Sequence, residues 1–224
     1  MTDTHRQLMN TAVIRDPELL GILEEYSDLV QSIDLETVEF DKTDLNNKHL
    51  VSEEYRKRIQ AMGRGHDGFP EKIVGFDLGL DKFRCSDIDE YVRLSRASEE
   101  ITGRLQAVLG TKYRALSCVY PPGGLISWHN NANAPGYNII FTWSEKGDGY
   151  WEHLDPDTGE IVRIQDVAGW QCKYGYFGHY DQFDKVLYHA AYTDCLRTTV
   201  AYVFNGDNTG KNMAEMLIAE IETA

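Results

Sequence analysis

The chain has 224 residues, 42% of them apolar and 11% aromatic, with a formal net charge of −14. That apolar content is ample for a packed core, which sets aside global disorder. The negative charge repels phosphate backbones at long range, which argues against general nucleic-acid binding but leaves room for a local basic pocket. No run of 18 apolar residues occurs, so no membrane span is expected. MTDTHRQLMN lacks a basic stretch followed by an apolar one, so no secretory signal is expected. The four cysteines, Cys85, Cys118, Cys172 and Cys195, form no CxxC pair and read as reduced packing thiols in a cytoplasmic protein.

Asp16-Pro17 opens the first predicted helix, with Asp16 as N-cap and Pro17 at the first helical position. Its apolar residues, Leu19, Leu20, Ile22, Leu23, Tyr26, Leu29, Val30 and Ile33, fall near helical spacing. TVEF reads as a short strand. Residues 42–70 are polar, contain GRGHDGFP, and read as loop with a helical turn near 52–61. KIVGFDL (72–78) reads as a strand. Ser86 is placed to cap a long helix over 87–109 whose apolar positions suit packing on a sheet; Gly110 follows its end.

From residue 111 short β-rich runs alternate with turn residues: YRALSCVY, GLISWH, YNIIFTW, GYWEHL, EIVRI, WQCKYGYF, KVLYHA and RTTVAYVF. Strands at this spacing predict an antiparallel sandwich or barrel. DPDTGEI is a hairpin signal. The tail KNMAEMLIAEIETA predicts a final helix packing Met213, Met216, Leu217 and Ile221 into the core. Helices early and strands late place the chain in the α+β class. The expected division is a supporting helical region over 1–110, a β-core over 111–205 and a C-terminal helix over 206–224, in one structural domain.

Three features of the β-core carry chemistry. His129 ends a predicted strand after the turn PPGG. His189 follows 60 residues later, where KVLYHA is expected to give way to a turn. Arg197 opens the last strand. Two histidines brought together by a closed sheet suit a first-row metal. An arginine entering the same barrel needs an anion, for which a bidentate small-molecule carboxylate is a natural partner. Thr199 lies two residues on, on the same strand face, so its hydroxyl points the same way.

In this order, with Tyr120, Gly123 and Gly124 ahead of His129 and Arg197-Thr198-Thr199 after His189, residues 111–205 resemble the iron(II)/2-oxoglutarate-dependent oxygenases. The prolyl 4-hydroxylase-like branch is the nearest likeness. The resemblance implies a double-stranded β-helix, or jelly roll, that binds Fe(II) and 2-oxoglutarate and couples O2 activation to release of CO2 and succinate. It implies His129 and His189 as metal ligands. It also implies Arg197 and Thr199 at the distal carboxylate of 2-oxoglutarate, with Tyr120 and Asn138 as further contacts.

The departure is Asn131, which stands where the family has its third, carboxylate ligand. Four readings are open. Asn131 binds weakly or through water and the enzyme still hydroxylates. The position makes room for chloride, as in halogenating relatives. Another carboxylate, Asp155, Asp184 or Asp194, reaches the metal. Or the metal site is degraded and the fold is a non-catalytic binding module. A cupin-like metal enzyme without 2-oxoglutarate is disfavoured by the Arg197-Thr199 pair. The substrate is expected to be a protein, a peptide or an amino-acid-like small molecule. His153 and His179 read as surface or loop residues, and His66 as part of a solvated loop or a lid. Trp128 and Trp143 are placed near the pocket by their closeness in sequence to His129.

Overall fold

The computed structural model describes residues 8–40, 46–111 and 114–223. Tyr113, expected to open the first core strand, and residues 42–45 of the expected loop lie outside these. Two five-stranded antiparallel sheets pack face to face. The first runs β1 (Met9–Ala12), β10 (Gly169–Phe177), β7 (Gly136–Ser144), β12 (Arg197–Asn205), β5 (Arg114–Tyr120). The second runs β3 (Ile73–Val74), β6 (Leu125–His129), β11 (His189–Thr193), β8 (Gly149–Leu154), β9 (Ile161–Gln165). A small third sheet pairs β2 (Val38–Glu39) with β4 (Arg84–Cys85). The chain is thus a mixture of helices and two large antiparallel sheets, and through its last eight strands it passes from one sheet to the other at every connection except the β8–β9 hairpin.

Alternation along the strands divides the side chains. On β12, Val200, Tyr202 and Phe204 face the helices, while Arg197, Thr199 and Ala201 face the space between the sheets. The outer face of the first sheet is covered by α1 (Pro17–Gln31), α3 (Ile88–Val108) and α4 (Asn208–Ile221). Leu19, Leu23, Tyr26, Leu94 and Leu105 are almost wholly buried there; burying a large apolar side chain contributes roughly 1.5–3 kcal/mol. The outer face of the second sheet is covered by α2 (Glu53–Met62) and the 3-10 turn Lys48–Val51. Between the sheets, Tyr120, Ile126, Ile140, Trp151, Phe177 and Leu187 form a smaller core beside a cavity.

Several expectations change. Asp87, not Ser86, caps α3: its carboxylate accepts from the Asp89 and Glu90 amides, while the Ser86 hydroxyl donates to the Thr37 carbonyl. The stretch read as one helical turn is the ten-residue α2, capped by Ser52. KIVGFDL yields only Ile73–Val74 and a single bridge from Phe76 to Val119. At Gly75 the chain runs so close to β5 that a Cβ would lie 2.6 Å from the Cys118 sulfur and the Val119 carbonyl oxygen. The strand at Met9–Ala12 has no apolar alternation in sequence and exists because β10 offers it an open edge. On α4, Leu217 and Ile221 enter the core, but Met213 and Met216 are exposed.

Candidate functional site

His129 closes β6 and His189 opens β11. The two are direct cross-strand partners, and their ring centroids lie 4.1 Å apart. The expected placement of His189 at a strand end is therefore corrected. The run before it is a 3-10 turn, Phe183–Lys185, tied back by the Gly178 amide donating to the Lys185 carbonyl. Both rings face a cavity of about 370 Å³ between the sheets. Phe177 and Trp151 hold the His189 ring, with centroids 4.7 and 5.5 Å away.

Hydrogen bonding fixes the chemistry of each ring. His129 Nδ1–H donates to the Ser127 carbonyl at 2.8 Å, and His189 Nδ1–H donates to the Leu187 carbonyl at 2.8 Å. In both, the proton is held on Nδ1, so the neutral ring keeps its lone pair on Nε2, the form a metal binds. Burial, with His66 nearby, lowers the His129 pKa to about 4; burial and His129 hold His189 well below the usual range. Both rings are neutral at physiological pH. His66 is the opposite case. It is buried rather than solvated, and its Nδ1 accepts from the Gly68 amide at 3.0 Å, so its proton sits on Nε2.

His153 is also buried, contrary to its reading as a surface residue. It pairs with His189 from β8, its ring lies 5.1 Å from Trp151, and its Nδ1 has no hydrogen-bond partner. Burial lowers its pKa from 6.5 to about 4. Its protonation therefore favours the unfolded chain: stability is intact above pH 6.5 and is lost as pH falls from there towards 4. The size is about 3 kcal/mol for a shift of this order. His153→Phe is expected to keep the ring contact and to shrink the fall in Tm between pH 7 and pH 5; an unchanged fall refutes the assignment.

Asn131 lines the same cavity as the histidine pair. Its backbone is left-handed, with φ 51°, and its amide donates to the Gly68 carbonyl at 2.7 Å. Asn and Asp both tolerate that conformation, so backbone geometry alone does not select the amide over a carboxylate. None of Asp155, Asp184 or Asp194 lines the cavity. Asp155 caps the β8–β9 turn and Asp194 accepts from the Tyr192 hydroxyl. Among the described residues, no three His, Cys, Asp or Glu side chains converge closely enough to hold an ion.

Arg197, Thr199, Tyr120 and Asn138 line the cavity with the histidines. Arg197 Nη1 donates to Thr199 Oγ1 at 2.9 Å, Nε donates to Asp166 Oδ2 at 2.8 Å, and the guanidinium lies 5.3 Å from the Tyr120 ring. Asn138 Nδ2 donates to the Gly136 carbonyl. The protein thus supplies Arg197 with an anion of its own. Asp166 in turn accepts from Lys173 Nζ at 3.2 Å, and all three side chains are sealed from solvent. Burial works against the Asp166 charge, but Arg197 and Lys173 outweigh it and lower its pKa. Thr142 lies between Thr199 and Gln171 in the same sheet, buried with an unpartnered hydroxyl. That orphaned group beside Arg197 and Thr199 fits a site finished by a ligand acceptor.

The cavity mouth is framed by loops. Phe69 and Pro70 line it from one side. Arg64 pairs with Asp181, and the Tyr180 hydroxyl donates to the His66 carbonyl, joining residues 63–70 to the loop after β10. Phe69 and Phe183 stand exposed on these loops. A larger groove of about 680 Å³, between the β2–β4 sheet and β5, has no histidine among its lining residues.

The expected residues His129, Asn131, His189, Arg197, Thr199, Tyr120 and Asn138 therefore meet in one cavity. Trp128 and Trp143 do not join them. Trp128 neighbours His129 on a strand and so faces the opposite way, towards α2; Trp143 faces the helices. Trp151 takes the wall position instead. Thr142 was legible only through alternation, as the residue of β7 opposite Thr199; Lys173, one strand further on β10, and Asp166, in the β9–β10 turn, were not.

No protein-family model matches the chain, and no curated protein does. Among solved structures, a Pseudomonas putida prolyl-4-hydroxylase is similar over 88% of this chain and 91% of its own, at 14% identity and a TM-score of 0.34. A dioxygenase for auxin oxidation in rice is similar over 84% of this chain and 71% of its own, at 15% identity and a TM-score of 0.33.

Proposed function

We propose that the protein is an Fe(II)/2-oxoglutarate-dependent dioxygenase that hydroxylates a protein or an amino-acid-like substrate. The observation that carries this reading is the single cavity holding two Nε2-presenting histidines together with a buried Arg-x-Thr pair. The strand orders 5-12-7-10 and 6-11-8-9 support a double-stranded β-helix as the core. Free thiols at all four cysteines support a cytoplasmic setting.

His129 and His189 would hold the iron through Nε2, their rings fixed by backbone carbonyls, with Asn131 at the third position. When bound, the metal and 2-oxoglutarate supply the oxidising power for hydroxylation, with succinate and CO2 as co-products. Arg197 and Thr199 hold the distal carboxylate. Tyr120 and Trp151 exclude water from the cavity wall. The mouth between Phe69 and the loop after β10 admits the substrate.

Asn131 favours one alternative, a non-catalytic binding module with a degraded metal site. Fe(II) and 2-oxoglutarate binding, measured anaerobically for the wild type beside Asn131→Asp, separates the two. The proposal expects the wild type to bind both and to form succinate in air. A silent wild type beside an Asp variant that binds iron and forms succinate establishes the degraded site.

A further inference from the structure

The buried cluster behind Arg197 holds two cations, Arg197 and Lys173, against one carboxylate, Asp166. We infer that Lys173, which does not line the cavity, is a positioning residue whose charge offsets Asp166 and so keeps Arg197 electrostatically available to a ligand carboxylate. This rests on the proposed function, since the ligand concerned is 2-oxoglutarate.

Geometry makes the case. Lys173 is inward on β10, next to β7, and its side chain is fully buried. Its Nζ is bonded to Asp166 Oδ1 and to Gln171 Oε1 at 3.1 Å. The charged or titratable groups facing it are Asp166 from the β9–β10 turn, Arg197 from β12 and the Cys172 thiol of its own strand. Had Asp166 only Arg197 to meet, the pair would be neutral and an incoming carboxylate would find no net attraction. With Lys173 the cluster carries one excess positive charge in a low-dielectric interior, where leaving it uncompensated is costly. Arg197 spends Nε and Nη1 inside the cluster, and Nη2 makes no hydrogen bond among the described residues. The Gly149 position shows how tightly the cluster is fitted: a Cβ there would lie 2.7 Å from Asp166 Oδ2. Burial, with help from Arg197, lowers the Lys173 pKa to about 8, so the cluster loses its excess charge as pH rises through that value.

The test is 2-oxoglutarate affinity under anaerobic Fe(II), read by quenching of tryptophan fluorescence, with folding followed by circular dichroism. Lys173→Met is expected to weaken binding about tenfold or more, as removal of a nearby buried charge does. The double variant Lys173→Met with Asp166→Asn restores the excess charge on Arg197 and is expected to recover most of the affinity. In the wild type the affinity falls as pH rises from 7 to 9, and in Lys173→Met it does not. Equal affinity in wild type and Lys173→Met overturns the inference while leaving the function standing. If Lys173→Met fails to fold, a pH-independent wild-type affinity overturns it equally. A wild type that binds no 2-oxoglutarate under any of these conditions overturns both.

Discussion

Replacing either His129 or His189 by Ala is expected to abolish the Fe(II) binding that the proposed function requires, and with it succinate formation. With Asn131 in place of a carboxylate, the two imidazoles are the strong donors, so losing one leaves no adequate chelate. Each ring is held by a single backbone carbonyl through Nδ1 and packs against its partner at 4.1 Å. His→Gln, which offers an amide rather than an imidazole, is expected to fail almost as fully. Anaerobic titration with Fe(II) and 2-oxoglutarate, followed by the weak visible charge-transfer band, gives the readout. Retention of the band in His189→Ala removes that residue from the metal site. His153→Ala serves as the control, since its ring lies beyond His189 and does not line the cavity.

The second large effect is on stability. Asp166→Asn is expected to destabilise the fold by about 3–5 kcal/mol, the usual result of breaking a buried ion pair by removing one partner. The change leaves Arg197 and Lys173 as neighbouring buried cations with no anion. For a chain of this length that lowers Tm by roughly 10 °C. Arg197→Met should cost less, because Asp166 and Lys173 remain paired with each other. The ordering of the two Tm values is the check, and a milder Asp166→Asn contradicts the charge arrangement. The pKa of Asp166 is lowered in the fold. Its contribution is therefore present above the ordinary carboxylate range and is lost as pH falls through the folded value.

Much of this was legible in the residues, because periodicity and order are local. Asp16-Pro17 started α1 where expected, and Arg197 opened β12. The order of His129, His189 and Arg197 placed them in one cavity once the strands closed. What escaped depends on which side of a strand meets which neighbour. Trp128 is adjacent to His129 in sequence and therefore on the wrong face. His153 looked like a loop residue because nothing local reveals that β8 lies beside β11. Lys173, charged and set in an aromatic strand, gave no hint that its partner would be Asp166 across a turn.

The cavity is built from unlike materials at its two ends. Around Arg197 every bonded group belongs to a strand or the adjoining β9–β10 turn, and the ion pairs are sealed. Around Phe69 the walls are loops, joined by an exposed Arg64–Asp181 pair and one tyrosine bond. Exposed pairs of that kind contribute little to stability. Sequence change at the rim is consequently inexpensive, while change at the inner end disturbs the whole sheet. A lineage carrying this scaffold can exchange one target for another by rewriting a few rim positions, and laboratory selection for new targets should begin at the exposed Arg64, Phe69, Asp181 and Phe183, leaving the buried His66 and left-handed Gly68 in place.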